Sequence, residues 1–108
     1  MLNIEKLDKI LTMKDFVFNF MEVTPQEINL KIAERARTIR KRRKMSQERL
    51  SEKSGVSLGS VKRFERSGEI SLISLTKIAI ALEIEQDMKK LFTDVPYRSL
   101  EEIDDEAR

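Results

Sequence analysis

The chain contains no cysteine and no histidine, and these two absences exclude whole classes of function. Without cysteine there is no disulfide scaffold and no zinc finger. Without histidine the commonest general base and metal ligand is gone, and with both missing no Ser/His, Cys/His or transition-metal constellation can be assembled. Only carboxylate or lysine chemistry remains formally open. Glycine is scarce as well, with 3 in 108 residues, and none of them sits in a phosphate-cradling loop. The apolar runs fall far short of a membrane span, and no charged-then-apolar leader opens the chain. The expectation is a cytoplasmic, non-enzymatic protein with no catalytic residue, no metal, no cofactor and no membrane partner.

The length of 108 residues allows one small domain with arms, and a core of that size can be stable without staples. The formal net charge is only +2, but it hides a strong polarity along the chain. Between Lys31 and Arg49 the cations Lys31, Arg35, Arg37, Arg40, Lys41, Arg42, Arg43, Lys44 and Arg49 face only Glu34 and Glu48. The closing stretch EEIDDEAR reverses the sign.

Periodicity divides the chain into three parts. Residues 1–23 form an N-terminal extension whose apolar positions Ile4, Leu7, Ile10 and Leu11, then Met13, Phe16, Val17, Phe20 and Met21, fit helical spacing. Because Phe16, Phe18 and Phe20 also alternate, a strand competes with a helix over residues 13–22. Residues 24–93 form the domain proper. Thr24-Pro25-Gln26-Glu27 is a capping box with proline at the first helical position, so a helix is expected from Pro25 to about Arg43, burying Ile28, Ile32, Ala36 and Ile39. Ser71 caps a later helix with a core stripe of Leu72, Leu75, Ile78, Ala79 and Leu82. A short helix follows from about Glu85 to Phe92, with Met88, Leu91 and Phe92 turned inward. Residues 94–108 form an acidic tail. There Asp94-Val95-Pro96 breaks the pattern, and Ser99 with Glu102 caps a brief helix from Leu100 to Glu106.

The most specific stretch is SQERLSEKSGVSLGSVKRFER, residues 46–66. Ser46 caps one short helix anchored by Leu50, Gly55 stops it in a left-handed position, and Ser57 caps the next. On that second helix Val61 and Phe64 face inward, which leaves Leu58, Gly59, Lys62 and Arg63 outward. Two helices joined by a glycine-centred turn, the second with a cationic outer face, is the pattern of a helix-turn-helix. The motif Gln-x-x-Leu-Ser-x-x-x-Gly-Val-Ser-x-x-x-Val-x-x-x-Glu, from Gln47 to Glu65, resembles the phage lambda repressor and Cro family, also called the XRE family. The resemblance extends from about Ile32 to Phe92. It implies an all-α, five-helix lambda-repressor-like DNA-binding bundle, here with an N-terminal helical extension and a short C-terminal tail.

The candidate DNA-binding residues are Gln47, Ser57, Leu58, Gly59, Ser60, Lys62, Arg63 and Arg66. The Gln47 amide, in the first turn of its helix, can donate to a phosphate oxygen, as the matching glutamine does in the family. The family reads bases chiefly from the first, second and sixth positions of the recognition helix, which the resemblance places at Leu58, Gly59 and Arg63. Arg63 suits a bidentate contact to guanine, and Leu58 suits a thymine methyl. Gly59 has no side chain to read with, a departure from the polar residues common in the family. Ser57, Ser60, Lys62 and Arg66 suit phosphate contacts, which set register and affinity. The resemblance also pairs Arg40 with Glu65 inside the bundle, removing Arg40 from the DNA-facing set.

The function implied is a sequence-specific transcriptional regulator, a repressor that binds double-stranded DNA as a homodimer on a palindromic operator. The first 23 residues are the leading candidate for the dimer contact, with the fifth helix second. Two alternatives stand beside this. The chain also resembles HipB-type antitoxins, which repress their own operon and neutralise a HipA-type kinase toxin. A protein-interaction module that uses the same bundle without DNA is the other, and the cations on the second helix argue against it.

Overall fold

The computed structural model describes residues 23–108. Among them the chain forms six helices and no strand: α1 (Pro25–Arg42), α2 (Gln47–Ser54), α3 (Leu58–Ser67), α4 (Leu72–Ala81), α5 (Glu85–Lys89) and α6 (Leu100–Ala107). The expected all-α bundle is what the chain forms. The helix-or-strand choice at 13–22, and the rest of the extension up to residue 22, lie outside the described residues.

Hydroxyl caps set where the helices begin. Thr24, Ser46, Ser57, Ser71 and Ser99 each accept a hydrogen bond from the backbone N–H three residues on, at 3.0–3.3 Å. Each such cap satisfies a donor that the first helical turn otherwise leaves unpaired, and is worth about 1 kcal/mol. Only α5 starts without a side-chain cap. At α6 the acidic member of the box, Glu102, accepts from the Arg98 N–H rather than from that of Ser99. In the tail, the Glu106 carboxylate beside the Tyr97 phenol holds it above the ordinary tyrosine value.

The helices end by two routes. Gly55 and Gly68 close α2 and α3 in the left-handed region, where a residue without Cβ is favoured. After α1, α4 and α5 the left-handed residues are Lys44, Glu83 and Phe92. The core lies where α1, α2, α3 and α4 meet, around Ala33, Leu50, Val56, Val61, Phe64, Ile78, Ala81 and Leu82. Arg43 extends from the end of α1 to donate to the Leu82 carbonyl at 3.2 Å, tying down the last turn of α4.

Three expectations about burial are corrected. In α1 the buried apolar position is Ala33, while Ile28 is 49% exposed and Ile32 36%; Ala36 and Ile39 are partly buried as expected. The cause is the close approach of α3. A Cβ on Gly68 would lie 2.6 Å from the Asn29 carbonyl carbon, so α1 buries Ala33 and Arg40, with Ala36 and Ile39 partly buried beside them. Small alanines let the helices meet, and the larger isoleucines flank the contact. In α4, Leu72 is 68% exposed, because the first turn projects past the core that Ile78, Ala79 and Leu82 fill. Finally, α5 ends at Lys89 rather than Phe92. The Leu91 N–H bonds to Met88 in a tighter turn, Phe92 takes φ 67°, and both side chains point to solvent rather than inward.

Candidate nucleic-acid interface

Serine hydroxyls lock the turn between α2 and α3 through short-range bonds. Ser51 Oγ donates to the Val56 carbonyl at 2.6 Å, and Ser54 Oγ accepts from the Val56 N–H at 3.1 Å. The Gly55 N–H closes α2 on the Ser51 carbonyl at 2.9 Å. Val56 is buried under this turn, so the angle between the two helices is set by both packing and hydrogen bonds. Ser57 then caps α3, and its Oγ also donates to Ser60 Oγ at 2.8 Å.

Along α3 the burial pattern splits the helix cleanly. Val61 and Phe64 are fully buried, Leu58 and Ser60 half-buried, and Gly59, Lys62, Arg63 and Arg66 exposed. Among the described residues no carboxylate forms a salt bridge with Lys62, Arg63 or Arg66. Three unneutralised cations on one short helix give that face a positive field, which attracts polyanions over roughly a Debye length, about 8 Å at physiological salt.

Behind this face a single carboxylate joins three segments. Arg40 Nε donates to Glu65 Oε2 at 2.7 Å and its Nη2 to Oε1 at 2.9 Å, a bidentate pair, while Nη1 donates to the Met45 carbonyl at 2.7 Å. Only 9% and 5% of the Arg40 and Glu65 side chains remain exposed. Gln47 Nε2 donates to the same Glu65 Oε1 at 3.2 Å, so the first residue of α2 is aimed by α3. Arg37 Nε stands 4.0 Å from that oxygen, with its side chain about half exposed. Thus Glu65 connects α1, the start of α2 and α3.

The structure brings Ser57, Leu58, Gly59, Ser60, Lys62, Arg63 and Arg66 together on α3 and its cap, and puts Gln47 beside them through Glu65. The Arg40–Glu65 pairing implied by the resemblance is present. Sequence reasoning missed Arg37, although its place one helical turn before Arg40 was the available signal. It also missed the bond between Gln47 and Glu65, for which the sequence carries no signal. Residues 37–85 match the sequence model of a helix-turn-helix family.

That segment is a helix-turn-helix domain of the XRE family.

Domains of this family bind DNA and are generally non-enzymatic, which makes the chain a DNA-binding regulator in the broad sense. No curated protein sequence matches the chain. Among the described residues no cluster of acidic side chains is placed to hold a metal ion, and no helix is long and apolar enough to cross a membrane.

Proposed function

We propose that the protein is a transcriptional repressor that reads a palindromic operator as a homodimer, with α3 as its recognition helix. The observation that carries the reading is the cationic face of α3, unpaired among the described residues and held at a fixed angle to α2 by the serine-locked turn. On this reading Arg63 makes a bidentate contact to guanine and Leu58 an apolar contact, while Gln47, Ser57, Ser60, Lys62 and Arg66 hold phosphates. The hydrogen bond to Glu65 uses one N–H of the Gln47 amide and leaves a second for a phosphate oxygen.

One recognition helix covers only a few base pairs, so a second copy supplies both affinity and length of site. The groove between α4 and α5 suits that contact. It is lined by Leu72, Thr76, Ile80 and Met88, and Phe92 protrudes at its edge, 82% exposed. Glu85 Oε2 is shielded there without a hydrogen-bond partner among the described residues, and Lys89 lies on the same rim. A knob, a groove, an anion and a cation on one patch are self-complementary, as a two-fold interface requires. The antitoxin reading draws support from α6, an acidic helix whose apolar Leu100 and Ile103 are exposed.

The test uses duplexes enriched from a randomised pool by the full chain. Palindromic sequences holding two chains per duplex are expected. Arg63→Ala should lose about 1–3 kcal/mol on the enriched duplex and little on scrambled DNA, and Gln47→Ala should weaken both alike. Equal losses for Arg63→Ala on the two duplexes would reassign it to phosphate contact, and one chain per duplex would end the dimer proposal.

A further inference from the structure

The fold of the described residues explains two of the three glycines, and does not explain Gly59. Gly55 and Gly68 have φ of +75° and +80°, and a Cβ on Gly68 would also strike the α1 backbone. Gly59 has no positive φ, lies in the first turn of α3, and a Cβ built on it meets nothing within 4 Å. Among the described residues an alanine fits there without strain or collision. Glycine is the weakest helix former after proline, so the folded chain gains nothing from it and loses some helix stability. Nothing in the described residues gives a reason for keeping the position bare.

We infer that Gly59 is a specificity-determining position, where the bare α3 backbone accepts the methyl group of a thymine in the major groove. The inference rests on α3 being the recognition helix. The missing side chain leaves a notch flanked by Leu58 and, one turn along the same face, by Arg63. Of the groups the major groove presents, the thymine C5-methyl is the apolar one that projects. A methyl-sized space beside a leucine matches it in size and polarity. With a Cβ at position 59 the same space is filled from the protein side, and α3 is held away from the base edges that Arg63 is proposed to reach. Position 59 therefore selects by what it omits: an A·T or T·A pair is preferred there, and the preference disappears when either methyl-sized partner changes.

The experiment compares the full chain with Gly59→Ala and Gly59→Ser. Duplexes are enriched from a randomised pool by the wild type, and affinities are measured on the enriched duplex, on scrambled DNA, and on the enriched duplex with each thymine in turn replaced by deoxyuridine, which removes only the methyl. Melting temperatures of the free proteins are measured alongside. Gly59→Ala should melt no lower than wild type, bind the enriched duplex about tenfold more weakly, and bind scrambled DNA within about twofold of wild type. Removing one thymine methyl should cost the wild type about fourfold, the value of a buried methyl group, and cost Gly59→Ala nothing further. Gly59→Ala binding the enriched duplex as tightly as wild type, or losing the same factor on the deoxyuridine duplex, overturns the inference. So does a lowered melting temperature, since the fold would then need the glycine. If the wild type enriches no sequence, the recognition-helix reading itself fails, a result distinct from all of these.

Discussion

Replacing Glu65 by alanine removes the acceptor of three hydrogen bonds at once: two from Arg40 and one from Gln47. The Arg40 guanidinium then keeps only the Met45 carbonyl. With both side chains more than nine-tenths out of water, solvent screening offers little relief. Removing one partner of such a pair costs about 3–5 kcal/mol, because the remaining charge is buried and uncompensated. The retained Met45 bond places the expected loss at the lower end, about 3 kcal/mol, which for a domain of this size lowers the Tm by roughly 12–24 °C. A double variant, Arg40→Met with Glu65→Leu, should recover most of that loss, since no unpaired ion remains in it. Thermal and urea denaturation of the wild type, the two singles and the double give the coupling energy. A coupling under about 0.5 kcal/mol, or a Glu65→Ala Tm within about 3 °C of wild type, would refute the reasoning. DNA affinity supplies a second readout. Gln47 loses its support, so at temperatures well below the transition Glu65→Ala should bind enriched and scrambled duplexes more weakly by the same factor.

The two left-handed glycines separate conformational cost from steric cost. Gly55→Ala should lose about 1–2 kcal/mol, the penalty of a left-handed L residue, because nothing lies within 4 Å of its Cβ. Gly68→Ala adds a collision with the Asn29 and Leu30 backbone and should lose about 2–5 kcal/mol in all; equal urea midpoints would mean that α1 and α3 do not approach so closely. A chain ending at Thr93 lacks α6 and should keep the wild-type Tm and DNA affinity. Under the antitoxin proposal it should also fail to co-purify the product of the neighbouring gene, and equal capture by both chains would exclude the tail as the contact.

Helix starts were legible because a cap is a local device. Thr24, Ser46, Ser57, Ser71 and Ser99 each bond to a backbone group three residues away, and no distant partner is needed. The turn at Gly55 and the exposure of Gly59, Lys62 and Arg63 follow from the same short range, whereas Leu58, expected outward with them, is half-buried. The facing of α1 is different in kind. The expected stripe 28-32-36-39 and the observed inward set 33-36-39-40 differ by a small rotation, and hydrophobicity favoured the first. The close approach at Gly68 decided for the second, because helices meet along small residues where backbones must come together. Just past α5, Leu91 and Phe92 continue its apolar pattern, yet the chain turns left-handed at Phe92 and leaves them on the surface.

The Glu65 carboxylate shows the division most clearly. Sequence alone places an arginine at 40, a glutamine at 47 and a glutamate at 65, each an ordinary polar residue on a helix, and only the family resemblance pairs two of them. That Glu65 also holds Gln47, while Arg40 holds the Met45 carbonyl, was decided by tertiary structure: these partners come within 2.7–3.2 Å only once α1, α2 and α3 have packed. Periodicity and capping report which residues a helix buries and where it begins. Which atoms meet across 18 or 25 residues of chain depends on the packing of small side chains between helices.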